Sequence, residues 1–513
     1  MQLYNPNRRT ALKLAGLGAL SLATGIGMRP GFANPRGDGF LTASILGALP
    51  HLHPWEFRNH DYGAVPILTY SNLIYTAPDG SLHPEVATAM PQISEDGRRY
   101  VFELRDDVVF AGGKKLEAED VKYSFDTYME KGNRRGDFLA FMKGVTIENK
   151  HKVTVDLERP WSGWLMYLTK YMGLIPAGSD FESLYSKIEG SGPYIVTRFE
   201  PDVVIELEAK SDYYAGEALQ KKIRLVRIAD GSTQLANLQT GQVDIIGTCP
   251  PRDFAPTVAL PEYEGAMVPS AGIFYAPFNR QAKPFDNIHL RRAVACAIDR
   301  DFICNDIYYG AVTPSSIPSA PGEYWHDEGL AAVHNYDPDR ARFHLREAGM
   351  PNGFRFTATI PAPSAYVEAQ EAAVVMQANL AEVGIDMRIR QMDFSSMYAT
   401  AQTGDFECFP HPSMQPSIED YLLAQSYMCI AGKQYISQPC NQSFDDVLSE
   451  AYLDPDRDRR RPFLIEATRK LVDDCTSVWV GRLNTYHIWR AGIQGFEPSY
   501  MYAMDMRKTH QPS

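Results

Sequence analysis

The stretch that decides the fold runs from Gly190 to Ile246 and reads GSGPYIVTRFEPDVVIELEAKSDYYAGEALQKKIRLVRIADGSTQLANLQTGQVDII. Three runs within it alternate β-branched or apolar residues with polar ones, which predicts three strands. A short amphipathic helix follows, with Leu235 and Leu238 on one face, and Gly241 stands where a glycine ends a helix. A further strand closes the stretch, which therefore predicts a compact sheet-plus-helix unit at the middle of the chain's central domain.

Toward the N-terminus, residues 94–113 alternate as a hairpin around an Asp-Gly turn, and a helix follows. Glu117, Glu119 and Asp120 gather at the start of this helix. Such carboxylates can serve acid–base catalysis, but negative charge at a helix start is also stabilised by the helix dipole. We therefore interpret the cluster as structural.

Toward the C-terminus, helices and strands alternate, which is typical of an α/β lobe. One predicted helix carries Leu290, Val294 and Ala297 on one face, and a second is capped by an aspartate and ends at Gly349. Two further helices are predicted over 368–383 and 463–474, and strands over 384–390 and 478–483.

Several of these motifs resemble those of the large solute-binding proteins of ABC importers, the family of dipeptide, oligopeptide and nickel binders. They are GSGPY (190–194), LQTGQVDII (238–246), RRAVACAIDR (291–300) and SEDGRRYVFELRDDVVFAGGKKLEAEDVKYSF (94–125). Their order along the chain is more specific than any one of them. The resemblance covers nearly all of the chain after its first residues.

The resemblance implies a periplasmic binding protein-like fold of the α/β class, with two lobes, a hinge and an additional satellite domain. The expected division is a discontinuous central lobe (34–55, 188–268 and 477–513), a satellite domain (56–187) and a second lobe (269–476). A small ligand would be held in the cleft between the lobes, and the membrane permease would recognise the closed form.

The first 33 residues have the pattern of a secretory signal. Basic residues precede an uncharged run of small and apolar residues, and a small residue ends the segment at Ala33. The pair Arg8 and Arg9 resembles a twin-arginine export signal, although Ala11 departs from the usual pattern and leaves the general secretory route open. We expect a mature monomer in the periplasm of a Gram-negative cell.

Composition excludes some classes of partner. The whole chain has 50 basic and 63 acidic residues and a formal net charge of −13 at pH 7. Because nucleic acids and anionic membranes are bound through clustered Lys and Arg, neither is an expected partner. The hydrophobic content of 44% is ordinary for globular chains of two or three domains.

The seven cysteines show no C-x-x-C or zinc spacing, and an oxidising compartment favours at least one disulfide. We predict a Cys429–Cys440 bond, because the short glycine-containing segment between them can loop back. Dipeptide binders of the family place a cysteine pair similarly, before the helix that begins near Ser443. Separate thiols are the alternative, and the odd number leaves at least one cysteine unpaired. The others are Cys249, Cys296, Cys304, Cys408 and Cys475.

By the resemblance, the loop predicted over 409–422, after a strand at Phe406, would line the cleft. Aromatic residues elsewhere are candidates for its walls, each with core packing as the alternative. The candidate ligand-binding residues are Trp55, Phe274, Tyr275, Trp325, Tyr366, Phe409, His411, Ser413 and Met414.

The same loop departs from the pattern of peptide binders, which carry a tryptophan and an aspartate here, the aspartate pairing with the peptide's amine. Without that carboxylate, burying an ammonium costs several kcal/mol. A peptide or peptide-like solute remains the first hypothesis. The alternative is a non-peptide ligand such as an opine, a sugar conjugate or a metal chelate, and His411 could then bind a metal or donate a hydrogen bond.

Catalysis is not expected. The sequence has no G-x-S-x-G, P-loop, H-E-x-x-H or Rossmann fingerprint, so a periplasmic hydrolase is a remote alternative. His51 and His53 could share a metal, but no third ligand is evident. We predict no cofactor and no resident metal. Chemosensing by the same binding fold is an alternative to transport.

Overall fold

The computed structural model describes residues 37–55, 64–77, 81–131, 141–161, 163–362, 367–414, 423, 427–429, 438–454, 456–498 and 504–512. The predicted signal segment 1–33 and the candidate Tyr366 lie outside the described residues.

Strands and helices alternate through most of the described chain. The strands are β1 (Phe40–Ile45), β2 (Ile74–Thr76), β3 (Leu82–Pro84), β4 (Gln92–Ile93), β5 (Arg99–Glu103), β6 (Met142–Asn149), β7 (Lys152–Leu157), β8 (Tyr194–Glu200), β9 (Val204–Ala209), β10 (Lys222–Arg227), β11 (Ile245–Ile246), β12 (Tyr263–Pro277), β13 (Val312–Pro314), β14 (Arg355–Pro361), β15 (Asp386–Met392), β16 (His411–Met414) and β17 (Ser477–Arg490). The α-helices are α1 (Ala64–Thr69), α2 (Ala118–Lys131), α3 (Trp164–Tyr171), α4 (Gly231–Gln239), α5 (Pro251–Val258), α6 (Ile288–Ala297), α7 (Arg300–Phe302), α8 (Glu328–Ala331), α9 (Pro338–Glu347), α10 (Val367–Glu382), α11 (Phe394–Thr403), α12 (Gln442–Leu453) and α13 (Arg457–Asp473).

A nine-stranded sheet connects distant parts of the sequence. Its order is β16-β12-β17-β11-β1-β10-β9-β8, and β13 also pairs with β17. Strand β1 runs parallel to β10 and β11, whereas β12 is antiparallel to both β16 and β17. The sheet therefore joins the first described strand, the middle of the chain and the last strand.

The unit at 190–246 has the predicted composition: β8, β9 and β10 precede α4 and β11. Asp230 caps α4 by accepting a hydrogen bond from the Thr233 amide, and Leu235 and Leu238 are buried. Gly241 follows the helix with a φ of +73°, a backbone conformation that favours glycine. The prediction of this unit is confirmed.

The glycines of GSGPY have a packing role. The Gly192 amide donates a 3.1 Å hydrogen bond to the Thr69 carbonyl at the end of α1. A Cβ atom at Gly192 would lie 2.5 Å from the Thr69 carbonyl carbon, and one at Gly190 would lie 2.2 Å from the Thr69 oxygen. Because backbone atoms cannot move aside, both glycines are required where these segments touch.

Residues 81–175 contain a smaller sheet of order β4-β5-β7-β6, and the same range of the sequence includes α2 and α3. The predicted Asp-Gly turn joins β4 to β5, and Gly97 has a φ of +66°. Asp120 is buried in the first turn of α2, where its carboxylate accepts hydrogen bonds from the amides of Glu117 (2.8 Å) and Ala177 (2.7 Å). The structural interpretation is confirmed for Asp120.

The predicted helices of the second half are present. Leu290, Val294 and Ala297 are buried on α6, and Asp337 caps α9 through the Arg340 amide. The last helix begins earlier than predicted, because Asp456 accepts hydrogen bonds from two amides of its first turn and starts α13 at Arg457.

The loop prediction for 409–422 is wrong for residues 411–414, and residues 415–422 lie outside the described residues. Residues His411–Met414 form β16 and pair with β12 at the edge of the large sheet. Proline suggests a loop, but an edge strand tolerates proline because one side of its backbone needs no ladder partner.

The cysteine prediction is confirmed. Cys429 and Cys440 form a disulfide with a Cα–Cα distance of 5.7 Å. The other five cysteines are all buried. Among the described residues, no helix is both long and apolar enough to cross a membrane.

Candidate functional site

One face of the large sheet gathers polar and aromatic side chains at the edge formed by β16, β12 and β17. Residues paired across strands share a face, as do residues two apart within a strand. The register places Tyr275 opposite His411 and Trp479, and Ile273 opposite Ser413 and Arg482. We call these six residues the edge face: Ile273, Tyr275, His411, Ser413, Trp479 and Arg482.

The rings of Tyr275 and His411 contact each other on this face, with centroids 5.0 Å apart. His411 Nδ1 lies 2.9 Å from the Phe409 carbonyl oxygen, which can only accept, so Nδ1 carries the proton. Burial lowers the pKa of His411 to about 4, an effect larger than the opposing one of this hydrogen bond. The imidazole is therefore neutral at physiological pH.

Trp479 connects the edge face to the disulfide. Its Nε1 donates a 2.8 Å hydrogen bond to the Tyr427 hydroxyl, whose oxygen also lies 3.3 Å from Ser477 Oγ. Cys429 follows two residues later, and its amide donates to the Asp445 carboxylate at 3.1 Å. The disulfide thus fixes the end of a segment that packs on Trp479.

A buried ion pair lies at the other end of the edge face. Arg482 donates through Nε to Glu323 Oε1 at 3.0 Å and through Nη2 to the Ser270 carbonyl at 3.1 Å. Glu323 is held in turn, because its Oε2 accepts a 3.1 Å hydrogen bond from the Ala320 amide. Trp325, from the same loop as Glu323, belongs to the buried cluster that contains Tyr275 and Trp479.

Of the candidates from sequence, the structure brings Tyr275, His411 and Ser413 together, and Trp325 belongs to the same buried cluster as Tyr275. Phe274 faces the other way because neighbouring residues in a strand alternate, and it packs against Tyr308 with centroids 5.7 Å apart. Phe409 contacts the His411 ring at 4.6 Å.

Trp55 has a packing role elsewhere. Its ring is fully buried against Tyr128, with centroids 5.6 Å apart, and its Nε1 donates to the Gly173 carbonyl at 3.1 Å. The backbone of Met414 belongs to β16, but its side chain and Tyr366 lie outside what is described.

The proposed metal pair is not supported by a third ligand. Within the described ranges, no group of three or more His, Cys, Asp or Glu is arranged to hold a metal. His53 packs between Phe181 and Tyr185, with ring centroids 4.5 and 4.7 Å away, and burial lowers its pKa to about 4.

Sequence reasoning missed Arg482, Trp479 and Glu323. One signal was available for Arg482, which is a charged residue within an otherwise apolar strand pattern. No local signal identifies Glu323 as its partner, because the two residues meet only through the tertiary fold.

Comparison with known proteins matches the chain to one family of solute-binding proteins and to two proteins named for the solutes they bind. A family model described as bacterial extracellular solute-binding proteins, family 5 Middle, matches residues 81–426. The chain is 24% identical over 429 residues to Heme-binding protein A of Haemophilus influenzae, covering 76% of this chain and 77% of that protein. It is 23% identical over 441 residues to the Dipeptide-binding protein of Escherichia coli K12, covering 79% and 82%.

The fold is shared with solved structures. The periplasmic binding protein AgaA from A. tumefaciens R10, in complex with agropinic acid, superposes with a TM-score of 0.82 at 22% identity. The superposition covers 92% of this chain and 99% of that one.

Proposed function

The chain belongs to the bacterial extracellular solute-binding proteins of family 5, and we propose that it is the periplasmic substrate-binding subunit of an ABC importer. It captures a peptide or peptide-like organic solute in a cleft between two lobes and delivers it to the membrane permease. The observation that carries this proposal is the edge face, where strands from three distant parts of the chain bring Tyr275, His411 and Arg482 to one surface. Small-molecule sites typically combine such aromatic walls with a few fixed polar groups.

The predicted lobe division supports a closing motion. The boundary predicted after residue 268 falls within β12, next to an irregularity between Pro269 and Ile273 where the pairing with β17 shifts register. A bulge of this kind bends a strand. We propose that β12 and β17 cross between the lobes here and act as part of the hinge, so that closure repositions the edge face around the solute.

Both kinds of cargo have a precedent among similar proteins, one of which is named for dipeptides and another of which was solved with agropinic acid. A non-peptide organic solute is therefore the second candidate. The observation that favours it is the state of Glu323, the carboxylate beside the edge face. Because the charge of Glu323 is already balanced by Arg482, this carboxylate is a weaker partner for a peptide ammonium than an unpaired one would be.

We propose that binding requires no covalent step and no cofactor. Aromatic contact and hydrogen bonds hold the solute, and differential affinity for the closed form shifts the population toward it. We further propose that residues 1–33 direct export, by the twin-arginine or the general route, and that the mature protein acts as a monomer.

Uptake by cells tests the importer function. A strain with the gene deleted should lose growth on, and uptake of, one class of organic solute, and the plasmid-borne gene should restore both. Normal uptake of peptides and other organic solutes by the deletion strain would count against transport. Turnover of a bound solute by the purified protein would instead support the hydrolase alternative.

A further inference from the structure

Arg482 has one guanidinium nitrogen without an acceptor. The residue is only 4% exposed, and its Nε and Nη2 serve Glu323 and Ser270. Its Nη1 is also buried, yet no hydrogen-bond partner for it exists in the part of the chain that the structure describes. A buried charged donor without an acceptor is costly, and such a group calls for an explanation, such as a bound ligand, ion or water.

A second open donor belongs to the buried cluster that also contains Ile273, Tyr275 and Trp479 of the edge face. Trp325 is fully buried, and its Nε1 has no acceptor among the described residues either. Arginine and tryptophan side chains can only donate hydrogen bonds. A solute's ammonium group therefore gains nothing from either residue, whereas an acceptor oxygen satisfies both kinds of group.

The hydrogen bonds that hold Arg482 determine which acceptor group of a solute its Nη1 would bind best. Glu323 and Ser270 hold the guanidinium in place, so the two N–H bonds of Nη1 keep fixed directions in this residue, which pairs with Ile273 in the sheet. A guanidinium forms its strongest hydrogen bonds with carboxylates, because the bond is charge-assisted. Glu323 offsets part of the positive charge, so recognition depends on the orientation of the Nη1 N–H bonds more than on net charge.

We propose that Arg482 binds a carboxylate of the transported solute. This inference rests on the proposed function and narrows it: the cargo is an organic acid, or a peptide held by its acid end at this position. Arg482 is thereby assigned as a specificity-determining residue that distinguishes an acid from its uncharged derivative.

The test begins with the cargo itself. The mature protein is purified from the periplasm of its own cells, unfolded, and the released solute is identified by mass spectrometry, with esterification by methanol to count its carboxyl groups. We expect at least one carboxyl group. A released solute without one overturns the inference and leaves the importer function supported. A protein that releases no solute and binds neither the dipeptide Met-Leu nor agropinic acid overturns the proposed function.

The second step measures the dissociation constants of the released acid and of its methyl ester for three proteins. The natural protein should prefer the acid by about 10- to 100-fold, and Arg482→Gln should remove most of this preference. The matched control is Arg490→Gln, at the far end of β17, which should keep it. An unchanged acid-to-ester ratio in Arg482→Gln contradicts the inference.

A variant with lower risk to folding completes the test. Arg482→Lys keeps a cation for Glu323, but an ammonium cannot reproduce the fixed fork that serves Glu323, Ser270 and the solute together. We expect it to fold and to lose the preference for the acid by a similar factor. Retention of the full preference by Arg482→Lys would assign recognition to charge alone and overturn the directional role of Nη1.

Discussion

The indole Nε1 of Trp479 donates a 2.8 Å hydrogen bond to the hydroxyl of Tyr427, across 52 residues of sequence. This bond joins the last long strand of the sheet to the segment that ends in the disulfide. Both groups are buried, so neither can exchange its partner for bulk water. The pair therefore ties the edge face to a distant segment of the chain.

Removal of the Tyr427 hydroxyl should lower stability. Tyr427→Phe leaves the buried Trp479 N–H without its acceptor and should reduce the free energy of unfolding by about 1–3 kcal/mol, measured by urea denaturation. Tyr336→Phe is the control, because that tyrosine is 41% exposed and its hydroxyl loss should cost little. Equal stability of the two variants would show that the bond contributes nothing.

Loss of the disulfide should destabilise the protein through its unfolded state. The bond closes a loop with a sequence separation of 11, for which chain entropy predicts a stabilisation of about 2–3 kcal/mol. Replacing Cys429 and Cys440 together by serine should lower the free energy of unfolding by that amount. Dithiothreitol should destabilise the natural protein and leave the double variant unchanged; a reductant effect on both would point to another cause.

The GSGPY motif should be sensitive to a single methyl group. A Cβ at position 192 would meet the Thr69 backbone at 2.5 Å, so Gly192→Ala should cost at least about 1–3 kcal/mol. Gly112→Ala is a matched control, because nothing lies within 4 Å of its Cβ position and its φ is not positive. That substitution should be neutral or slightly stabilising, since alanine restricts the unfolded chain. Comparable losses in the two melting curves would refute this role for Gly192.

His411 should make stability depend on pH. Its folded pKa of about 4 lies below the ordinary value of 6.5, so the unfolded state binds more protons between these values. Stability is therefore full above pH 6.5 and falls as the pH drops from 6.5 to 4, by about 3 kcal/mol from this group. His411→Asn keeps a donor for the Phe409 carbonyl and removes the titration.

The measurement is urea denaturation of both proteins at several values of pH. The natural protein should lose more stability than His411→Asn over this range, whereas the buried His53 and His334, whose pKa values are also lowered to about 4, contribute equally to both. Parallel curves for the two proteins would show that His411 does not titrate as expected.

Local patterns were sufficient for much of the fold. The positions of Leu235, Leu238 and Gly241 predict α4 and its end, because helix periodicity and glycine geometry act over a few residues. The disulfide joins two cysteines close in sequence and was predictable for the same reason. Strand alternation also shows that Phe274 and Tyr275, which are neighbours in a strand, cannot line the same face.

The remaining features of the fold and of the candidate site depend on contacts between segments that are distant in sequence. The segment His411–Met414 contains proline and reads as a loop, yet β12 supplies a ladder partner that the local sequence does not reveal. Arg482 and Glu323 are 159 residues apart, and only the folded chain shows that they pair. Of the candidate site, Tyr275, His411 and Ser413 could therefore be predicted from the sequence. The ion pair of Arg482 and Glu323 could be identified only from the structure.

The central claim, that this protein carries a solute, is tested most directly by native mass spectrometry of the mature protein isolated from the periplasm of its own cells. The account predicts a protein peak heavier than the sequence mass by one small organic molecule, which is lost on unfolding. A protein that is repeatedly found empty, and that takes up no small molecule from an extract of the same cells, would contradict it.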